Sequence, residues 1–340
     1  MEIKENYSLK DLNTFGIDVQ ARYFVEVSSD QEIKSFLSDY NSKLKDKPIL
    51  ILSGGSNILF TKDYNGIVLK INTKGIEIVK ENRRYAYIKA KAGEVWDDLV
   101  KYCINNNFGG IENLTFIPGR VGAAPIQNIG AYGVKLKNSF YKLNAINIKT
   151  RKEKKFLKKD CDFGYRRSIF TGKAKNQYII LSVTLKLNKK SQFDIQYDDV
   201  KNELNKIGAQ QLDIKVISEA VCRVRTAKLP DPDQIGNAGS FFKNPLISTS
   251  QYKKLAIAYP SIKAFELSPV EYKLYAGWLI EHCGWKGKKI GNAGVHRDNA
   301  LILVNYGGAK GSDIFELSKQ IQKSVFDKFE VKLEPEVNII

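Results

Sequence analysis

Two short stretches of this sequence collect residues that hold phosphate through the backbone rather than through side chains. Ser53-Gly54-Gly55-Ser56-Asn57 follows the apolar run Ile49-Leu50-Ile51-Leu52, and a longer segment runs from Ile117 to Gly133. Successive N–H groups in such loops can form nests for anions, though the same residues also make ordinary tight turns. The longer segment contains Ile117, Pro118, Gly119, Gly122, Ala123, Gln127, Asn128, Gly130 and Tyr132. Apolar, glycine-rich and carrying two amides, it suits an aromatic cofactor with a diphosphate. No G-x-G-x-x-G follows a strand and no G-x-x-x-x-G-K-S/T occurs, which disfavours a Rossmann dehydrogenase and a P-loop enzyme.

Histidine and metal chemistry have little to work with. His282 and His296 are the two histidines, and Cys103, Cys161, Cys222 and Cys283 contain no C-x-x-C pair. No metal site, disulfide framework or histidine triad is expected, and the thiols read as reduced. Proton transfer then falls to other residue types. Arg166 beside Arg167, Ser240 after Gly239 and Glu336 near the end of the chain are read singly as a surface pair, a turn serine and an exposed carboxylate.

The elements that would position these residues can be read from periodicity. Ser29-Asp30-Gln31-Glu32 is a capping box opening a helix to about Leu44, with Ile33, Phe36, Leu37 and Tyr40 on one face. Strands are expected at Ile49–Leu52, Ile58–Phe60, Gly66–Ile71, Tyr85–Ala92, Leu143–Ile148 and Ile179–Leu187, with helices at Glu94–Asn106 and Asp213–Arg225. In Ile179–Leu187, Leu181, Val183, Leu185 and Leu187 alternate with Ser182, Thr184 and Lys186. Leu229-Pro230-Asp231-Pro232 marks a boundary. Beyond it come a glycine-rich turn at Gly236–Ser240, helices at Tyr272–His282 and Asp313–Phe329, and an extended Glu330–Ile340.

A length of 340 residues, 43% of them hydrophobic, predicts two or three packed domains. No apolar stretch is long enough to span a membrane, and Met1–Lys10 lacks the apolar middle of a secretory signal. The expectation is a mature protein equal to the whole chain, cytoplasmic and without a membrane partner. The net charge of +17 comes mostly from scattered lysines. Even the cluster Lys152, Lys154, Lys155, Lys158 and Lys159 has no interleaved aromatic residue except Phe156. That reads as a solvated surface rather than a nucleic-acid face.

Several motifs, in one order, give the sequence a further meaning. Asn13-Thr14-Phe15-Gly16-Ile17, Gly54-Gly55-Ser56-Asn57-Ile58-Leu59, Ile117 to Gly133, Phe163-Gly164-Tyr165-Arg166, Thr226-Ala227-Lys228-Leu229-Pro230, Gly236 to Pro245 and Leu333-Glu334-Pro335-Glu336-Val337 together resemble the UDP-N-acetylenolpyruvoylglucosamine reductase family over almost the whole chain. The resemblance implies an α+β protein: a two-part FAD-binding region of the PCMH type (vanillyl-alcohol-oxidase-like) and a C-terminal α/β substrate-binding domain. The bounds drawn are 1–190 for the FAD region, in subdomains of about 1–72 and 73–190. A tyrosine loop and connecting helix follow at 191–228, the substrate domain at 229–330, and a terminal strand with the glutamate at 331–340.

The resemblance also implies the activity: reduction of the enolpyruvyl ether of a UDP-sugar to UDP-N-acetylmuramate, with non-covalent FAD and with NADPH as co-substrate, by a monomer. Arg166, Ser240 and Glu336 match its catalytic residues. Tyr165, Tyr197, Lys228, Asn244, Lys286 and Asn299 match its substrate-binding positions, Tyr197 lying where one subgroup has a loop that folds over the substrate. FAD is assigned to Ser53, Gly54, Gly55, Ser56, Asn57, the nine residues named above between Ile117 and Tyr132, and Arg225. Departures from the better-known members are Arg120 for a small residue, Ala123-Ala124 for hydroxyl residues and Asn299 for a longer amide. Competing readings are another FAD-dependent oxidoreductase of the superfamily, a basic nucleic-acid-binding protein, and an inactive structural relative.

Overall fold

The computed structural model describes residues 2–44, 47–190 and 193–340. It divides into two compact units, each assembled from separate stretches of chain. One gathers the start of the chain through Tyr7, Ala21–Gly54 and Asn65–Ala227; the other gathers Ser8–Gln20, Gly55–Tyr64 and Lys228–Ile340. The contiguous bounds drawn from the sequence have no counterpart for the two short insertions into the second unit.

The first unit holds a four-stranded and a five-stranded sheet, besides a two-stranded ladder of Gly130–Ala131 with Val134–Lys135. The four-stranded sheet runs in the order Lys4–Ser8, Gln20–Val27, Tyr64–Ile71, Ile49–Leu52, with the last two strands parallel. Its helix, Asp30–Lys43, begins as the sequence predicts. Ser29 Oγ accepts from Glu32 N at 3.1 Å, and Glu32 Oε2 accepts from Ser28 N at 2.6 Å, so two otherwise orphaned donors are satisfied. Ile33, Phe36 and Leu37 are buried on its inner face.

The larger sheet runs Glu153–Leu157, Phe140–Asn147, Tyr178–Asn188, Tyr85–Lys91, Ile76–Glu81, antiparallel throughout. Helix Trp96–Asn105 packs Trp96, Leu99, Val100, Cys103 and Ile104 into the same core. Strand Tyr178–Asn188 is central, and Ser182 and Thr184 are buried beside its apolar residues. Its alternation therefore does not mark a wet face. The helical turn Val121–Ala123 packs against this strand. Helices Asp198–Ile207 and Ile214–Lys228 share a small core of Val200, Leu204, Ile217, Ala220 and Val221. The first of these helices was not expected from the sequence.

The second unit is built on a four-stranded antiparallel sheet, Gly236–Ser240, Ile302–Asn305, Ala293–Val295, Lys289–Ile290. Gly236–Ser240 is thus a strand and not the expected turn, with Asn237 paired to Val304 and Ser240 to Ile302. A three-stranded sheet, Leu246–Ser248, Glu271–Leu274, Ala264–Ser268, accompanies helix Thr249–Ala258. The helix expected over Tyr272–His282 starts only at Ala276, because Glu271–Leu274 is the central strand of that sheet. Helix Gly311–Phe329 buries Ile314, Leu317, Ile321, Val325 and Phe329. In the C-terminal segment Asn338–Ile339 pairs in parallel with Ile58–Leu59. The opening motif belongs here too: Asn237 N donates to Thr14 O at 2.9 Å, and Asn305 Nδ2 to Phe15 O at 2.9 Å.

Among the described residues no helix is long and apolar enough to cross a membrane, and no group of three or more His, Cys, Asp and Glu could hold a metal ion.

Candidate active site

In the first unit the two glycine-rich loops meet. A Cβ placed on Gly54 would lie 3.0 Å from Gly119 Cα, so the backbones pack with no room for a side chain between them. Ser53 Oγ is buried there with no hydrogen-bond partner among the described residues. The longer loop is tied to its surroundings through the backbone: Trp96 N donates to Gly119 O at 3.0 Å and Gly122 N to Ala92 O at 2.8 Å. Arg120 donates Nη1 to Gly93 O at 2.9 Å. Its guanidinium is therefore engaged with protein backbone, which accounts for the tolerance of a long residue at that position.

Asn128, almost fully buried, organises the next turn. Its Nδ2 donates to Gly164 O at 2.9 Å and its Oδ1 accepts from Lys137 N at 3.0 Å. Gly164 N donates to Arg167 O at 2.9 Å, which closes Gly164–Arg167 into a tight loop. Inside it Arg166 has φ +49°, a left-handed conformation uncommon for a non-glycine residue. Such conformations persist only where surrounding contacts impose them. Arg166 donates Nη2 to Gly130 O at 3.2 Å, and its guanidinium carbon lies 5.7 Å from the centre of the Tyr165 ring. Lys135 pairs with Gly130 across a two-residue hairpin ladder. Burial, and then the charges of Lys137 and Arg166, hold its ammonium below the usual lysine range. Arg166 therefore sits in a cationic corner suited to an anion.

Tyr132 and Tyr197 meet edge to face, with ring centres 5.8 Å apart. Tyr197 caps helix Asp198–Ile207, its carbonyl accepting from Val200 N and Lys201 N at 3.0 Å. Half-buried Arg225 donates Nε to Phe116 O at 3.1 Å. Burial lowers its pKa and raises that of Tyr132.

In the second unit Ser240 and Glu336 are brought together by a backbone pairing that the sequence does not show. Glu336 N donates to Phe241 O at 2.7 Å, Phe242 bridges to Pro335, and Lys243 N donates to Glu334 O at 2.9 Å. The C-terminal segment thus runs antiparallel to Phe241–Lys243, with Glu336 beside the residue that follows Ser240. Lys243 Nζ lies 3.1 Å from Glu334 Oε2 in an ion pair. Asn57 closes the other side, its Nδ2 donating to Glu336 O at 3.2 Å and its carbonyl accepting from Asn338 N at 3.1 Å. Asn299 donates Nδ2 to Lys228 O at 3.2 Å, and Asn244 Oδ1 accepts from Ala276 N at 2.9 Å at the start of helix Ala276–His282. Lys286 is paired with Glu281 at 2.8 Å. A cleft of about 390 Å³ between Phe15, Gly236, Asn305 and Tyr306 contains none of the candidate residues.

Comparison with known proteins agrees with this architecture. Residues 231–340 match the family described as UDP-N-acetylenolpyruvoylglucosamine reductase, C-terminal domain, and residues 21–147 match the FAD binding domain family. The UDP-N-acetylenolpyruvoylglucosamine reductases of Flavobacterium johnsoniae and Amoebophilus asiaticus are 47% and 48% identical to this chain, each covered over 100% of both sequences. That of Pseudomonas syringae pv. tomato is 41% identical over 100% of this chain and 99% of its own. The crystal structure of the Thermus caldophilus enzyme shares the fold, with a TM-score of 0.68 at 22% identity over 99% of this chain and 98% of that one. Fold and matched domains define a protein with a PCMH-type FAD-binding domain and a separate C-terminal domain. The chain belongs to the UDP-N-acetylenolpyruvoylglucosamine reductase family.

The loops of the first unit fit FAD on their own chemistry. The Gly54 and Gly119 backbones pack with no side chain between them, and the buried Ser53 hydroxyl, without a partner among the described residues, is a donor of the kind a diphosphate takes. Sequence reasoning missed Asn113, which is fully buried and bonded to the backbone of both Tyr132 and Asp194. A single asparagine in Glu112-Asn113-Leu114 carries no signal of such a bridge.

Proposed function

We propose that this chain is an NADPH-dependent, FAD-mediated UDP-N-acetylenolpyruvoylglucosamine reductase. It converts UDP-N-acetyl-3-O-(1-carboxyvinyl)-glucosamine to UDP-N-acetylmuramate for peptidoglycan synthesis, as a cytoplasmic monomer. The observation that carries the reading is the full-length likeness to reductases of that name, spanning both the loops fitted for FAD and the segments bearing Ser240 and Glu336. The first unit carries most of the flavin-binding region, and residues 229–340 carry the substrate domain.

When bound, FAD supplies a two-electron carrier that takes hydride from NADPH and gives it to the terminal methylene carbon of the enolpyruvyl ether. The chain's residues manage the charge and the proton. Arg166 forks onto the substrate carboxylate, where negative charge spreads as the hydride arrives. Glu336 orients that end of the substrate. Ser240 delivers its hydroxyl proton to the carbon bearing the ether oxygen, so that one hydride and one proton together saturate the double bond. Lys228, Lys286, Asn244 and Asn299 hold the sugar nucleotide, with Lys286 exchanging its surface partner Glu281 for phosphate oxygen. Tyr165 and Tyr197 cover it. Gln127, Asn128, Ser56, Asn57 and Arg225 complete the flavin contacts.

The test is an anaerobic titration of the purified protein followed by its visible spectrum. Stoichiometric NADPH is expected to bleach a yellow protein, and the enolpyruvyl UDP-sugar to restore the colour without oxygen. A protein that cannot be reconstituted with FAD, or that is recoloured only by oxygen, would overturn the assignment.

A further inference from the structure

Asn113 joins two parts of the first unit that are far apart in the sequence. It sits in the helical turn Glu112–Leu114 with no exposed surface. Its Nδ2 donates to Tyr132 O at 3.1 Å and to Asp194 O at 2.8 Å, so both amide hydrogens are used on backbone carbonyls. Its Oδ1 is buried with no hydrogen-bond partner among the described residues. A buried polar atom left in this state is costly, and a fold keeps such a group where its other bonds impose a needed geometry.

The two carbonyls belong to segments that meet face on. The Asp194 carboxylate lies directly over Gly133, where a Cβ would come within 2.6 Å of Asp194 Oδ2. Gly133 has φ +89°, a conformation that L side chains rarely adopt. Asp194 Oδ1 in turn accepts from Gln196 N at 3.3 Å, which turns the chain toward Tyr197. On the other branch Tyr132 presents its ring edge-on to Tyr197. Phe193 and Ile195 pack, with Tyr132, on the small core beneath helix Asp198–Ile207. Tyr197 is therefore held from two sides, by the approach of its own chain and by the Tyr132 ring, and Asn113 fixes both at once.

We infer that Asn113 is a positioning residue for Tyr197. Through its bonds to Tyr132 and Asp194 it pre-forms the place from which Tyr197 covers the UDP-sugar. This rests on the reading that Tyr197 touches that substrate. Pre-organising the tyrosine removes an ordering cost from sugar-nucleotide binding and leaves the NADPH half-reaction alone.

The experiment is a double-mutant cycle on the FAD-loaded protein with Asn113→Asp, which keeps the volume and removes both donors, and Tyr197→Phe. Two quantities are read: the Kd of the enolpyruvyl UDP-sugar by calorimetric titration, and the rate of flavin bleaching by NADPH. Asn113→Asp is expected to weaken sugar-nucleotide binding about ten-fold, to leave bleaching within about two-fold, and to add nothing once Tyr197 is replaced. Gly133→Ala, at an exposed site, presses on the same junction from the other side and is expected to give the same pattern, which covers the case in which the Asn113 variant does not fold. Equal weakening with and without Tyr197, or unchanged affinity in Asn113→Asp and Gly133→Ala while Tyr197→Phe is impaired, would overturn the inference. Unchanged affinity in Tyr197→Phe itself would instead sink the reading on which it rests.

Discussion

Arg166 shows how much of the proposed chemistry is settled by one backbone conformation. Its left-handed φ turns the side chain back over the hairpin, where the guanidinium meets Gly130 O and Lys135 adds positive charge. A guanidinium presents two parallel donors to a carboxylate, which an ammonium does not, and burial with the neighbouring positive charges lowers the pKa of the ammonium of Lys135. Arg166→Lys is therefore expected to slow substrate-driven flavin reoxidation by about 10²-fold and leave NADPH-driven reduction within about two-fold. Stopped-flow absorbance of each half-reaction checks this, and a lysine variant as fast as the parent would mean that a point charge suffices. The motif around Arg166 was visible in the sequence. Its conformation was not, because the contacts that impose it come from Asn128 and Gly130, more than thirty positions away.

Elements were legible where their signals are local. The cap at Ser29 and the apolar face behind it gave helix Asp30–Lys43 nearly to the residue. Ser29→Ala is expected to cost about 1 kcal/mol, read as roughly five-fold faster amide hydrogen exchange in the first turns of that helix, with exchange in strand Tyr178–Asn188 unchanged. Exchange that stays at the parent rate would show that tertiary packing, and not the cap, holds the helix end. Where partners come from elsewhere in the chain the local signal misleads. Gly236-Asn237-Ala238-Gly239-Ser240 has the composition of a turn, yet it is a strand because Ile302–Asn305 supplies its ladder. Tyr272–Leu274 carries a helix-compatible pattern, yet strands on both sides claim it. Helix Asp198–Ile207 was missed because Val200 and Leu204 are its only fully buried residues, too short a stripe to set a period.

At the scale of the molecule, the second unit takes in the opening motif and the loop after Gly54, so each compact unit is assembled from stretches that are separated along the chain. The family was legible because its motifs are spread over almost the whole chain. The net charge of +17 is spread over a surface where most ion pairs are partly exposed and contribute little individually. In the proposed reaction the second unit delivers a proton from Ser240, held beside Glu336 by the pairing of Glu336 N with Phe241 O. The most direct measurement is single-turnover stopped-flow absorbance of Ser240→Ala. NADPH should bleach the flavin at a rate within about two-fold of the parent, while reoxidation by the enolpyruvyl UDP-sugar should slow by about 10²- to 10⁴-fold. Equal slowing of the two phases, or reoxidation at the parent rate, would contradict the account.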